Sequence, residues 1–237
     1  MAKCIIDGKK ITAPDGTPIL QAARDNGIDI PTLCSHESIE PSGACRLCVV
    51  EIKKGKRSKI VTSCLYQVED GLEVDTKSER VMNVRRLVLA LLLARNPASE
   101  VIREIAVKMG VNPQPRFKLD EDKGKCILCR LCVRTCADIV GVNAIGLSHR
   151  GPSKTVGPPF DEDSSACIGC GACAYVCPTG HILMEEKVDE RKIWGRRFKM
   201  KACDTCGRYF APLDQLEFIS KKTGVSVADL SICTSCR

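Results

Sequence analysis

Alternating apolar and polar positions open the chain. KCIIDGKKITAPDGTPIL holds two short strand-like runs about Asp7-Gly8, a hairpin signal. ILQAARDNG then takes helical spacing, with Gly27 placed to cap its C-terminus. CVVEIKKGKRSKIVTSC predicts two further strands across a turn at Gly55. From Ser78 to Ala94 the spacing changes to that of a strong amphipathic helix, with Ser78 as its N-cap. SEVIREIAVKMG predicts a second helix ending at Gly110. The Pro-broken, charged stretch NPQPRFKLDEDKGK reads as a domain boundary. Beyond it the order of apolar residues yields to the spacing of cysteines. Near the end, PLDQLEFISKKTGVSVADL reads as a short helix, a turn and the start of another.

These runs divide the 237 residues into four expected regions: 1–78, β-rich; 79–118, a helical connector; 119–189, with two cysteine runs; and 190–237, a cysteine-bearing tail that starts basic. Apolar content of 44% and charged content of 27% fit an ordered soluble protein. The longest apolar run, Leu87 to Ala94, falls well short of the roughly 20 residues of a spanning helix. MAKCIIDGKK lacks the apolar centre of a secretory signal, so the expectation is a cytoplasmic protein without a membrane span.

Seventeen cysteines change the picture. In a reducing compartment, clustered cysteines are metal ligands rather than disulfide partners. All but Cys4 fall into short repeats, and Cys4 itself reads as a small buried residue on a strand. The formal charge of +7 suggests an anionic partner, but it counts every cysteine as neutral. Four thiolates around a metal or cluster core carrying about +2 leave each site near −2. Four such sites would bring the loaded chain to about −1. With only 4% aromatic residues available for base stacking, the charge is poor evidence for nucleic acid. A zinc-dependent nucleic-acid binder is therefore the weaker alternative, and no nucleic-acid partner is expected.

Cys34, Cys45, Cys48 and Cys64 form C-x10-C-x2-C-x15-C. Two cysteines three apart can clasp one iron of a 2Fe–2S cluster while the distant pair completes the other, and PSGACRLC places small residues where backbone amides can reach sulfur. A zinc site is the alternative, though zinc arrays come as two close pairs. PTLCSHESIEPSGACRLCVVEI resembles the N-terminal 2Fe–2S domain of the large iron–sulfur subunit of complex I and of related hydrogenase and formate dehydrogenase subunits. That resemblance covers about a third of the chain and implies a β-grasp ferredoxin fold over 1–78. Those relatives continue with a cluster held by one His and three Cys. No His or Cys occurs here between Tyr66 and Lys125, so that cluster is not expected.

Cys126, Cys129, Cys132 and Cys136 form C-x2-C-x2-C-x3-C, and Cys167, Cys170, Cys173 and Cys177 repeat it 41 residues later, followed by Pro178. The pattern is that of two-cluster ferredoxins, in which the fourth cysteine of each run serves the other cluster. One 4Fe–4S cluster is thus assigned to Cys126, Cys129, Cys132 and Cys177, and the other to Cys136, Cys167, Cys170 and Cys173. Arg130 and Arg134 lie within the first run, either as cations raising its cluster's potential or as ordinary surface charge.

Cys203, Cys206, Cys233 and Cys236 are two C-x2-C pairs, the layout of a Cys4 zinc site. CDTCGRYF looks like a zinc-ribbon knuckle, and the segment resembles the C-terminal extension of some hydrogenase and formate-hydrogenlyase iron–sulfur subunits. Zinc is the expected ion; mononuclear iron or a further iron–sulfur cluster is the alternative.

The fold expected is α+β: a β-grasp 2Fe–2S domain, a helical connector, a two-cluster 4Fe–4S domain and a small zinc-ribbon-like tail. No dinucleotide fingerprint or phosphate loop occurs, and no catalytic residues are assigned. The layout resembles the small iron–sulfur subunits of electron-bifurcating hydrogenases, transhydrogenases and formate dehydrogenases. It implies an electron-transfer subunit of an NAD(P)-linked oxidoreductase. Its partners would be a flavin/NAD(P)-binding subunit and a catalytic subunit (hydrogenase, formate dehydrogenase or NADP-linked), with ferredoxin as a further candidate. A freestanding multi-cluster carrier is the alternative.

Overall fold

The structure, a computed structural model, describes residues 1–55, 57–117 and 124–237. The expected boundary at 118/119 meets residues 118–123, which lie outside the described residues. The chain divides into two compact units, Met1–Cys129 and Arg130–Arg237.

In the first unit, β1 (Ala2–Ile6) and β2 (Lys9–Ala13) form an antiparallel hairpin about Asp7-Gly8, both with positive φ. Asp7 also reaches across the unit, accepting from the Thr76 amide and hydroxyl at 2.7 and 2.6 Å. Helix α1 (Ile19–Asp25) follows, then β3 (Val49–Lys54), β4 (Arg57–Thr62) and β5 (Leu72–Asp75). The strands make one mixed sheet in the order β2-β1-β5-β3-β4, with β1 and β5 parallel. Ile19, Leu20, Ala22 and Ala23 of α1 pack with Ile6, Val50 and Leu72 of the sheet in a core that also contains Cys4, Cys48 and Cys64.

Two helices follow. α2 (Glu79–Arg95) starts where expected: Ser78 Oγ accepts from the Val81 amide at 3.3 Å. The strongly amphipathic reading of α2 needs correction. It buries Val81, Leu89 and Leu93 but leaves Leu87 and Leu91 about half exposed, while Arg85 is 3% exposed. A buried guanidinium is tolerated here because Arg85 Nη2 donates to the Val49 carbonyl at 2.7 Å. α3 (Glu100–Lys108) packs on α2, and the chain leaves it through Gly110 at positive φ.

In the second unit, two short helices, α4 (Leu131–Arg134) and α5 (Ala172–Tyr175), each hold one cysteine of the runs, Cys132 and Cys173. β6 (Gly146–Ser148) and β7 (Thr155–Gly157) form a small hairpin between them. The strands β8 (Met184–Glu186), β9 (Glu190–Ile193), β10 (Arg196–Ala202) and β11 (Tyr209–Pro212) form an antiparallel sheet. This sheet runs through the 189/190 position at which the sequence suggests a boundary. α6 (Leu213–Thr223) and α7 (Val227–Leu230) finish the chain, separated by Gly224 in the left-handed region.

Candidate metal centres

The four cysteines of the first array are all buried, at 6% exposure or less. Two local features place them. Ser63 ties the loops of Cys48 and Cys64 together, since its amide and hydroxyl both donate to the Cys48 carbonyl, at 3.0 and 2.7 Å. Helix α1 fixes the Cys64 loop from the other side: its first amides, Ile19 and Leu20, donate to the carbonyls of Tyr66 and Ser63. Those amides have no partner inside the helix, so the loop satisfies them at no extra cost.

Backbone amides do reach sulfur here. Leu33 N lies 3.5 Å from Cys45 Sγ, and Cys45 N lies 3.3 Å from Cys34 Sγ. The sulfurs are close enough to share protons. The hydrogen bond with Cys34 draws the Cys45 thiol down to about 5, and that with Cys64 draws Cys48 to about 7, while Cys34 and Cys64 are pushed above the usual thiol range. Dry, all-sulfur surroundings with amide donors suit thiolates that neutralise iron.

The duplication of the other runs is written into the backbone. Leu128 and Arg130 have positive φ, and the residues 41 positions later, Gly169 and Gly171, have positive φ as well. Each copy thus wraps its cysteines with the same left-handed turns, which glycine adopts freely and leucine and arginine adopt at a cost of about 1–2 kcal/mol each. Leu128 N donates toward Cys126 Sγ at 3.4 Å. Arg134 pairs with Asp138 at 3.4 Å, and Arg130 is exposed.

Within the second unit, Cys136 lines one apolar cavity with Cys167, Cys170 and Cys173, walled by residues such as Val142, Ile145 and Trp194. Cys136 lies 31 residues before Cys167, so only the fold brings them together. Ala144 N donates to Cys136 Sγ at 3.3 Å and the Trp194 indole to Cys173 Sγ at 3.4 Å. Burial pushes Cys167, Cys170 and Cys173 up, Cys173 to about 11, so these sulfurs need a cation to ionise. Cys177 stands apart from that cavity's lining. Amides, among them His181 N at 3.3 Å, and the Thr179 hydroxyl outweigh burial and hold it below the usual thiol value.

In the tail, the Sγ atoms of Cys203, Cys206, Cys233 and Cys236 lie within 4.8 Å of one another, with Cys206 and Cys233 at 3.9 Å. A tetrahedron of 2.3 Å metal–sulfur bonds puts its sulfurs about 3.8 Å apart, so the set fits one four-coordinate ion. The Cys233 and Cys206 amides pull Cys203 down to about 6, and Arg208 Nη2, 3.8 Å from Cys233 Sγ, lowers that thiol as well.

Residues 1–79 match the 2Fe-2S iron-sulfur cluster binding domain family, and residues 125–181 and 160–209 match two 4Fe-4S dicluster domain families. The chain carries a 2Fe–2S domain and 4Fe–4S dicluster domains. It is homologous to the NADPH-Fe(3+) oxidoreductase subunit alpha of Geobacter sulfurreducens, with 32% identity over 87% of this chain and 27% of that subunit. It is similar to the NADP-reducing hydrogenase subunit HndD of Solidesulfovibrio fructosivorans, 35% identical over 80% of this chain and 37% of the relative. Similarity to an NADH-quinone oxidoreductase subunit of Rhizobium meliloti is 28%, over 87% of this chain and 27% of that relative. The chain therefore spans 27 to 37% of the length of these curated relatives. A chain of a solved NAD+-reducing [NiFe]-hydrogenase matches with a TM-score of 0.66 and 27% identity, covering 76% of this chain and 86% of that one.

The domain matches agree with one 2Fe–2S and two 4Fe–4S units and with a mixed α and β fold. Among the described residues, no helix is long and apolar enough to cross a membrane. Sequence reasoning missed the residues that hold the cysteine loops: Ser63, Arg191, Trp194 and Arg196. A period-2 pattern around Gly195, with Ile193, Phe198 and Met200 turned inward, was the available signal for the hairpin carrying three of them.

Proposed function

We propose that this chain is the electron-relay subunit of an NAD(P)-linked oxidoreductase, passing single electrons between a flavin/NAD(P)-binding subunit and a catalytic partner. The observation that carries the reading is the shared cavity of Cys136 with Cys167, Cys170 and Cys173. It supports the ligand exchange of a two-cluster ferredoxin, on one chain with a 2Fe–2S domain.

The proposed ligands are Cys34, Cys45, Cys48 and Cys64 for 2Fe–2S, and Cys126, Cys129, Cys132 and Cys177 with Cys136, Cys167, Cys170 and Cys173 for the 4Fe–4S pair. The sheet order β2-β1-β5-β3-β4 with α1 against it supports the β-grasp assignment. Each cluster, when bound, takes up and releases one electron. The chain's own part is to bury the sulfurs, aim amides at them and hold both geometries nearly alike, so that little reorganises on transfer. The names of the relatives, an NADPH-linked oxidoreductase and two hydrogenases, favour NAD(P) at one end and a hydrogenase-type or NADP-linked partner at the other. A cytoplasmic setting keeps the cysteines reduced before loading.

For the tail we propose a structural zinc ion on Cys203, Cys206, Cys233 and Cys236. A cluster spreads its cysteines over several irons, whereas sulfurs within 4.8 Å suit one ion. The small core beneath, Ala211, Leu216 and Leu230, is thin enough to need such a staple.

Iron, sulfide and zinc analysis of anaerobically purified protein tests the cofactors: about ten irons, about ten sulfides and about one zinc per chain are expected. Zinc without sulfide overturns the relay. Affinity purification at native level tests the partners, and recovery as a lone 25.8 kDa species favours the freestanding carrier instead.

A further inference from the structure

We propose that the β9–β10 hairpin is a clasp on the second 4Fe–4S site, in which the Trp194 indole N–H, donating to Cys173 Sγ, is a positioning group that raises that cluster's reduction potential. The inference rests on the assignment of Cys136, Cys167, Cys170 and Cys173 to one cluster.

The hairpin is built to hold the ring in place. Its turn is Trp194-Gly195, with φ of 53° and 82°. Hairpin turns with two left-handed residues favour Asn-Gly or Asp-Gly. A tryptophan accepting the left-handed cost marks a position where the side chain, not the backbone, has been selected by the fold. The strands on either side fasten the turn to the cysteine loop. Arg196 Nη1 donates to the carbonyls of Ser164, Ser165 and Cys167 at 2.7, 3.1 and 2.7 Å. Arg191 Nη1 donates to the Gly169 carbonyl at 2.8 Å. Phe198 is 1% exposed, stacked under the Arg196 guanidinium at 4.7 Å and pressed against Gly169. With these anchors the indole N–H reaches Cys173 Sγ at 3.4 Å.

Reduction makes a cluster and its thiolates more negative. A donor or cation aimed at sulfur stabilises the reduced form more than the oxidised one, and the potential rises. Arg196 and Arg191 act in the same sense, since their guanidinium charges are held on the carbonyls of Cys167 and Gly169 in the cysteine loop. The chain has one tryptophan, so the duplicated cysteine runs are made unequal by this bond. The same contact places the only indole against the cluster, where its emission is quenched whenever the cluster is present.

The test is W194F in the full chain, titrated with dithionite and followed by EPR beside the parent protein. Phenylalanine keeps the ring's packing and removes the donor. One 4Fe–4S midpoint is expected to fall, its reduction constant dropping about tenfold, or about 59 mV for one electron. The 2Fe–2S midpoint and the other 4Fe–4S midpoint stay in place. Both 4Fe–4S clusters present with unchanged midpoints overturns the clasp while leaving the cluster assignment intact. A parent protein with a single 4Fe–4S signal and iron to match overturns the assignment itself. Should W194F fail to load, emission of the parent protein decides: indole fluorescence quenched when loaded and regained on oxidative cluster loss supports the clasp, and equal emission in both states overturns it.

Discussion

Phe198 occupies the space that any side chain on Gly169 would enter: a Cβ built at Gly169 would stand 2.5 Å from the Phe198 ring. Gly169 also has φ of 68°, a conformation L side chains adopt only at a cost. Gly169→Ala therefore pays twice, about 1–2 kcal/mol for the backbone and about 1–3 kcal/mol for overpacking. Gly171→Ala meets Met184 Sδ at 2.7 Å, but that side chain is flexible and partly exposed and can swing away. Iron content after anaerobic purification should fall by up to four per chain in Gly169→Ala and much less in Gly171→Ala. Equal losses would mean that the Phe198 contact is not what excludes the methyl.

The β3–α2 region predicts an acid-sensitive component of stability. Glu51 accepts from Ser58, is hydrogen-bonded with Ser78 and pairs with Arg80 at 2.6 Å, and these hold its carboxyl down to about 2. A carboxyl depressed on folding stabilises the protein fully above its unfolded value, near 4.5, and loses that contribution as pH falls toward 2. Urea unfolding of the parent chain and Glu51→Gln should differ most above pH 5 and converge only as pH falls to about 2 and below. A difference independent of pH would assign the effect to packing rather than charge.

How far this molecule can be read from its sequence depends on whether the signal is local. The Asp7-Gly8 hairpin and the Ser78 cap are set by residues within one turn of each other, and both stand where the spacing puts them. The cysteine runs are legible for the same reason, because ligand chemistry fixes their spacing. What holds the runs is not local. Ser63 reaches Cys48 across 15 residues, and Arg196 reaches Cys167 across 29. No pattern in ERKIWGRRFKMK distinguishes arginines that cap carbonyls from arginines that face water. The burial of Arg85 was hidden likewise, because its partner is a backbone carbonyl with no sequence signature.

That arginine makes the third prediction. Its charge favours the ionised form of Cys48, and burial in turn lowers its own proton affinity. Arg85→Met keeps much of the volume, removes the charge and leaves the Val49 carbonyl without its donor, at a cost of about 1–3 kcal/mol. The 2Fe–2S midpoint should move down and the thermal midpoint with it, while both 4Fe–4S midpoints remain. Loss of stability without a change in the 2Fe–2S potential would leave Arg85 a purely structural tie between α2 and β3.

The tail gives the last prediction, because the metal proposed for it is separable in chemistry from the clusters. Cys206 is the exposed member of its set and Cys203 and Cys233 are buried, so Cys206→Ser changes the ligand at the surface with the least disturbance of packing. Serine is a poor ligand for a soft thiophilic site, and the remaining three sulfurs keep only part of the affinity. Zinc content should fall toward zero after a mild chelator that leaves the parent protein loaded. Amides of α6 and α7, which rest on the small core of Ala211, Leu216 and Leu230 with Phe210, Ile219 and Val227 against it, should lose most of their hydrogen-exchange protection. The 2Fe–2S spectrum, which comes from the other unit, should be unchanged. Retained protection in zinc-free Cys206→Ser would show that the tail folds on its apolar contacts alone, and the metal would then need another role.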